Sequence, residues 1–160
     1  MQDGSSFNAF KFQHIPVMAD EVLKSVKKLP QELLQEGLII DATLGGGGHS
    51  AVLLEKYSEI DLIGLDKDPN AITAARQKLK KFGSRVKILD VNFADFTPPR
   101  KVILVLADLG VSSHQLDEAS RGFSFKSNGP IDMRMNPLEG ITAAELIHQL
   151  NERELADIIY

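Results

Sequence analysis

Alternating strand and helix patterns predict a doubly wound α/β fold, and three features carry that expectation. Four short runs rich in β-branched and aliphatic residues occupy positions 38–44, 60–65, 86–91 and 102–107. Two of them, LIIDA and VILVLA, are apolar at consecutive positions, as expected of parallel strands covered on both faces. Between the second and third runs, DPNAITAARQKLKKFG has helical spacing, with Ile72, Ala75, Leu79 and Phe82 on one stripe. Strands that alternate with helices pack most simply as a parallel sheet joined by right-handed crossovers.

Taken in order, residues 16–29 predict a leading helix with Val22, Leu23, Val26 and Leu29 on one side. A helix over 49–57 follows the first strand. In the next helix Asp68 suits the N-cap, Pro69 the first turn and Gly83 a left-handed stop. Residues 110–140 are loop-like, rich in Gly, Ser, Asn and Pro. Two capping boxes then announce short helices, Thr142 with Glu145 and Asn151 with Glu154. A sheet that ends at 102–107 leaves an apolar strand as an open edge, which invites self-association and implies that further chain follows.

With 160 residues the chain is large enough for one core and hardly for two. It has no cysteine, which rules out disulfides and thiolate metal sites and fits a reducing, cytoplasmic setting. No cationic n-region precedes an apolar stretch, so no signal peptide is expected, and no run is long enough for a membrane span. A net charge of −4 excludes a protein coated in basic surface but leaves room for a local basic patch.

The stretch DATLGGGGHS, residues 41–50, lies between a strand and a helix, where doubly wound sheets bind ligands. Glycines there let the backbone approach a ligand and adopt positive φ. No Gly-Lys-Ser/Thr follows, which argues against a nucleoside triphosphate. Gly46, Gly48 and Ala51 can be fitted to a dinucleotide fingerprint, but Asp41 just ahead of the turn would repel a pyrophosphate and could hold an ammonium. Asp66 ends the second strand and is placed to accept hydrogen bonds from a ribose. Acid, glycine turn and second acid together suggest S-adenosylmethionine.

The fourth strand ends in ADLGVSSHQLD, which places Asp108 near a transferred group. Beyond it, Arg121, Lys126 and Arg134 are interleaved with Phe123 and Phe125, a mixture that can meet phosphates and unstacked bases, or tuck its rings into a core. His114 could accept a proton, although a loop histidine is commonly just solvated.

The segments HIPVMADEV, DATLGGGGHS, GLDKDP, ADLGVSSHQLD and RGFSF with GPIDMRM occur in this order from His14 onward. Together they resemble the small-subunit ribosomal RNA methyltransferase H family. The resemblance implies a Rossmann-like class I methyltransferase fold that transfers methyl from S-adenosylmethionine to the N4 amino group of a cytidine in 16S rRNA. It places cofactor contacts on Gly47, Gly48, His49, Asp66, Phe93, Asp108 and Gln115. Phe93 and Gln115 rest on the resemblance alone. It further implies the small ribosomal subunit as partner, a cytoplasmic location and no metal. Where many amino-methyltransferases carry an Asp/Asn-Pro-Pro-aromatic motif, this chain has DLGVSS, and Asp108 is the candidate for the amine's surroundings.

The expected organisation is a flexible tail over 1–12, a cofactor-binding α/β domain over 13–118, and over 119–160 a loop with the start of an inserted helical domain. Family members are longer, so the chain reads as C-terminally truncated. Two other readings stay open at this point: a nicotinamide-dependent oxidoreductase, and a non-catalytic RNA-binding fragment with a partial cofactor site.

Overall fold

The computed structural model describes residues 16–159. The expectations for the 1–12 tail and for His14 lie outside the described residues. Four parallel strands form one sheet: β1 (Leu38–Asp41), β2 (Asp61–Asp66), β3 (Val86–Asp90) and β4 (Val102–Leu106), in the order β3-β2-β1-β4. The chain steps outward from β1 to β2 to β3, then returns to the other side of β1. Strand order therefore reverses between β1 and β4, and the carboxyl ends on both sides of that point open onto one cleft.

Two helices precede the sheet, α1 (Ala19–Lys27) and the single-turn α2 (Gln31–Leu34). The leading helix begins at Ala19 rather than at residue 16, because Met18 takes a left-handed conformation at its start. Its apolar side is the expected one, and Val26 is fully buried. Helix α3 (Gly48–Lys56) connects β1 to β2, and α4 (Pro69–Leu79) connects β2 to β3. Asp68 caps α4 by accepting from the Asn70 N–H at 2.9 Å, with Pro69 in the first turn. Gly83 does not stop this helix in the left-handed region as expected. The α-helix ends at Leu79, a 3-10 stretch (Lys80–Arg85) follows, and Gly83 breaks that stretch at φ +60°, ψ −129°.

The alternation of side chains along the strands sorts the core into two layers. Ile39 and Leu62 face α1, α3 and α4, against Val26, Leu53, Leu54, Ala75 and Leu79. On the opposite face Leu38, Ile40, Ile63 and Leu65 are covered by Leu89, Val91, Phe96 and Val102. All of β1 is buried. The equally apolar β4 is not. It forms the sheet edge with Val105 63% exposed, so the expectation of cover on both faces fails for this strand while that of an open edge holds.

After β4 come α5 (Ser113–Asp117), a 3-10 turn (Ala119–Arg121), the loop, α6 (Ala143–Gln149) and α7 (Glu152–Ile159). Thr142 and Glu145 form the expected capping box, and Asn151 and Glu154 exchange the same pair of bonds. A third box, Ser112 with Gln115, opens α5. Within the loop the chain crosses itself closely. A Cβ on Gly122, which has φ +75°, would lie 2.4 Å from the Pro130 carbonyl oxygen.

Candidate functional site: the cleft at the strand ends

A cleft of about 410 Å³ opens at the carboxyl ends of the four strands. Its near wall is the glycine turn. Leu44 N–H donates to the Leu65 carbonyl at 2.9 Å, Gly45 N–H to Asp66 Oδ2 at 2.7 Å, and Gly47 N–H to the Leu44 carbonyl at 2.9 Å. Gly45 and Gly47 have φ of +51° and +74°, which explains why glycine stands at both. Gly45, Gly46, Gly48 and His49 line the cleft.

Gly47, expected as a ligand contact, is placed behind that wall instead. A Cβ there would meet Leu79 Cδ1 at 3.0 Å, so this glycine serves the packing of the turn on α4. Asp41 is likewise withdrawn. It is 2% exposed, and its carboxylate accepts from Ser50 Oγ at 2.6 Å and from the Thr43 N–H at 3.3 Å. Burial raises its pKa above the ordinary carboxylate value, opposed by the Ser50 hydrogen bond. The acid ahead of the glycines thus braces the turn from within and does not face the cleft, correcting its expected role toward an ammonium.

Asp66 does line the cleft. Its Oδ1 accepts from the N–H groups of Lys67 and Asp68, while Oδ2 takes only the Gly45 N–H and keeps a lone pair for a hydroxyl. Phe93, 51% exposed, offers a ring face beside it. Lys67 also lies on the wall. Its ammonium is shared between Glu139 at 2.7 Å and Asp90 at 3.6 Å, and the bond to Glu139 raises its pKa.

The far wall descends from β4. Asp108 N–H donates to Thr43 Oγ1 at 2.6 Å, which ties the two walls together. The Asp108 side chain is 54% exposed, and its Oδ2 lies 3.8 Å from His49 Nε2, close enough for electrostatic coupling without a direct hydrogen bond. His49 Nδ1 is buried and meets no hydrogen-bond partner among the described residues. Gln115 is 5% exposed, lines the cleft, and donates from Nε2 to Asp68 Oδ2 at 3.1 Å.

The loop residues are placed unequally. Arg121 is 5% exposed, with Nη1 at 2.6 Å from Asp68 Oδ2. Arg134 pairs with Asp132 at 2.6 Å and pulls that carboxyl down to about 2. Arg121 is thereby committed within the protein, which corrects its expected role on phosphates, whereas Arg134 stays partly exposed in its pair with Asp132. Phe123 is half-buried, whereas Phe125 is fully exposed beside exposed Lys126. His114 lies on α5 and is half-buried. Reading along the chain missed the Asp68 hub, Thr43 and Lys67. Of the surrounding features only the Ser112–Gln115 capping box carried a local signal, its S-x-x-Q spacing.

Two carboxylates, those of Asp66 and Asp108, are open to the cleft, while Asp68 is 3% exposed and neutralised by Arg121 and the lysine on the wall is neutralised by Glu139 and Asp90. That electrostatic balance suits a cationic ligand and opposes a pyrophosphate.

A profile of the MraW methylase family matches residues 11–160. The chain belongs to the MraW methylase family. A ribosomal RNA small subunit methyltransferase H of Prochlorococcus marinus (strain NATL2A) is 62% identical over 160 residues, all of this chain and 53% of that protein. A protein of the same name from Synechococcus sp. (strain CC9605) is 59% identical over 150 residues, 93% of this chain and 50% of that protein. The chain therefore spans about half the length of the curated relatives it matches. Among solved structures, an rRNA methylase from Streptococcus thermophilus aligns at 23% identity and a TM-score of 0.33, over 38% of this chain and 37% of that one. A likeness that loose carries no argument.

Proposed function

We propose that this chain is the cofactor-binding portion of an S-adenosylmethionine-dependent methyltransferase whose acceptor is the N4 amino group of a cytidine in 16S rRNA. The observation that carries the reading is the acid-lined cleft at the strand reversal, built on a glycine turn that Asp66 itself braces. The residues present fit the cofactor. Asp66 Oδ2 has a free lone pair for a ribose hydroxyl, and Phe93 offers a face for adenine. Gly48 and His49, at the positive end of α3, suit a carboxylate, and Asp108 with Gln115 suits an ammonium. When bound, the cofactor supplies a methyl group on a positively charged sulfur.

The amino group of cytosine is a weak nucleophile, because its lone pair is delocalised into the ring. Positioning and acceptance of charge are therefore the protein's task. Asp108 is the candidate for that task. Its carboxylate reaches the cleft, its backbone is held by Thr43, and His49 Nε2 lies 3.8 Å from it. The target base must leave its stack, and Phe125 with Lys126 forms the exposed ring-and-cation pair suited to single-stranded RNA. The relatives' names support small-subunit rRNA as the substrate, and the small ribosomal subunit as partner and the cytoplasm as location are part of the same proposal. No helix among the described residues is long and apolar enough to cross a membrane. A nicotinamide cofactor is disfavoured by the two open carboxylates of the cleft, Asp66 and Asp108, because its pyrophosphate would be repelled by them. A purely RNA-binding role is disfavoured by the commitment of Arg121 to a buried ion pair.

The test is methyl transfer to 16S rRNA by the complete protein and its Asp108→Asn variant. The variant is expected to lose on the order of 10²-fold in kcat. Unchanged transfer and cofactor affinity would remove Asp108 from the reacting centre.

A further inference from the structure

One buried carboxylate joins three separate parts of the cleft. Asp68 Oδ1 caps α4, while Oδ2 receives Gln115 Nε2 at 3.1 Å and Arg121 Nη1 at 2.6 Å. Gln115 in turn accepts from the Ser112 N–H at 2.9 Å and so holds the start of α5. The second arm of Arg121, Nη2, donates to the carbonyls of Arg134 and Met135 at 3.0 and 2.8 Å. Met135 lines the cleft, and its sulfur lies 3.5 Å from Gln115 Nε2. Asp68, Gln115 and Arg121 are each at most 5% exposed.

Arg121 itself does not line the cleft, yet two residues that do, Gln115 and Met135, are set by what it holds. Its flat guanidinium fork can bind a carboxylate on one side and two carbonyls on the other, which a lysine ammonium cannot reproduce in the same plane. Arg121 is further fixed by the Met133 N–H, which donates to its carbonyl at 3.0 Å, and by Gly122, where the loop crosses itself. We propose that Arg121 is a positioning residue: with Asp68 it fixes α5 and the 131–135 loop in one register, so that the far wall of the cleft is already formed before a ligand arrives. The functional half of this proposal rests on S-adenosylmethionine being the ligand.

The test combines amide hydrogen exchange with calorimetric titration of S-adenosylmethionine on the whole chain, comparing wild type with Arg121→Met, Arg121→Lys and Asp68→Asn. In Arg121→Met, exchange is expected to quicken both at 112–118 and at 131–135, with β1 and β2 still protected. The dissociation constant is expected to rise on the order of tenfold or more. Arg121→Lys should recover part of that loss, and Arg121→Met combined with Asp68→Asn should cost no more than the worse single change. Loosening confined to 131–135, or a lower Tm with an unchanged dissociation constant, would overturn the proposal. If Arg121→Met also loses protection in the sheet, Arg121→Lys and Asp68→Asn decide by the same criteria. If wild type binds no S-adenosylmethionine, the cofactor reading falls, and the exchange pattern alone decides whether Arg121 couples the two segments.

Discussion

The two walls of the cleft are held by different physics. The near wall, from β1 through the glycine turn into α3, rests on backbone hydrogen bonds to β2 and on a filled core beneath it. The far wall, from β4 through α5 to the 131–135 loop, hangs from an edge strand and is tied by side chains that converge on Asp68. Backbone pairing in a parallel sheet depends little on which side chain stands where. A side-chain knot depends on every member, because breaking a buried ion pair leaves a charge without a partner. Apart from the two carboxylates that brace its turn, Asp41 and Asp66, the near wall is therefore the rigid reference, and the far wall is the part that most single substitutions can move.

The largest effect that sharpens this contrast falls on the two apolar strands. Ile39→Ala in β1, where the side chain is fully buried, should cost about 2–5 kcal/mol of stability. In β4, Val105→Lys replaces a residue 63% exposed and should stay within about 0.5 kcal/mol. Because it puts a charge on the open edge, it should also reduce self-association. Denaturant midpoints and sedimentation measure both. Equal destabilisation by the two changes would show that β4 is as enclosed as β1.

How much of this was legible in sequence follows the same division. LIID announced a buried strand because an unbroken apolar run fits cover on both faces, and β1 does lie between β2 and β4. VILVL announced a strand, and its place at an open edge, equally well, but not the exposure of Val105, since that depends on what covers the face of the sheet. Asp41 and Asp66 looked alike, each an acid at a strand end. Their separation into a buried brace and a cleft residue depends on Ser50 and the fold of the turn. Asp68 was readable as a helix cap because Asn70 lies two residues on. Its second oxygen was not, because its partners stand 47 and 53 residues away. Arg121 read as a phosphate-binding cation because its partner, Asp68, stands 53 residues away, whereas the partner of Arg134, Asp132, lies in the same DMRM stretch.

A smaller effect comes from pH. Arg134 holds the Asp132 carboxyl at about 2, below its ordinary 3.8. The stability this pair contributes is present above about pH 4 and lost as pH falls through about 2. The protection of the Arg134 amide, which donates to Asp132 Oδ1 at 3.0 Å, should fall relative to its intrinsic exchange rate over that window. Asp132→Asn should remove this pH step and leave the near wall unchanged. An identical profile in the variant would mean that another group governs the loop.

The most direct test of the account is calorimetric titration of the chain with S-adenosylmethionine and, separately, with NAD. Saturable binding of S-adenosylmethionine, abolished by Asp66→Ala, is the predicted result, because Asp66 both braces the glycine turn and faces the cleft. Binding of NAD alone by the folded chain would contradict it, since the carboxylates of Asp66 and Asp108 would then have failed to exclude a pyrophosphate.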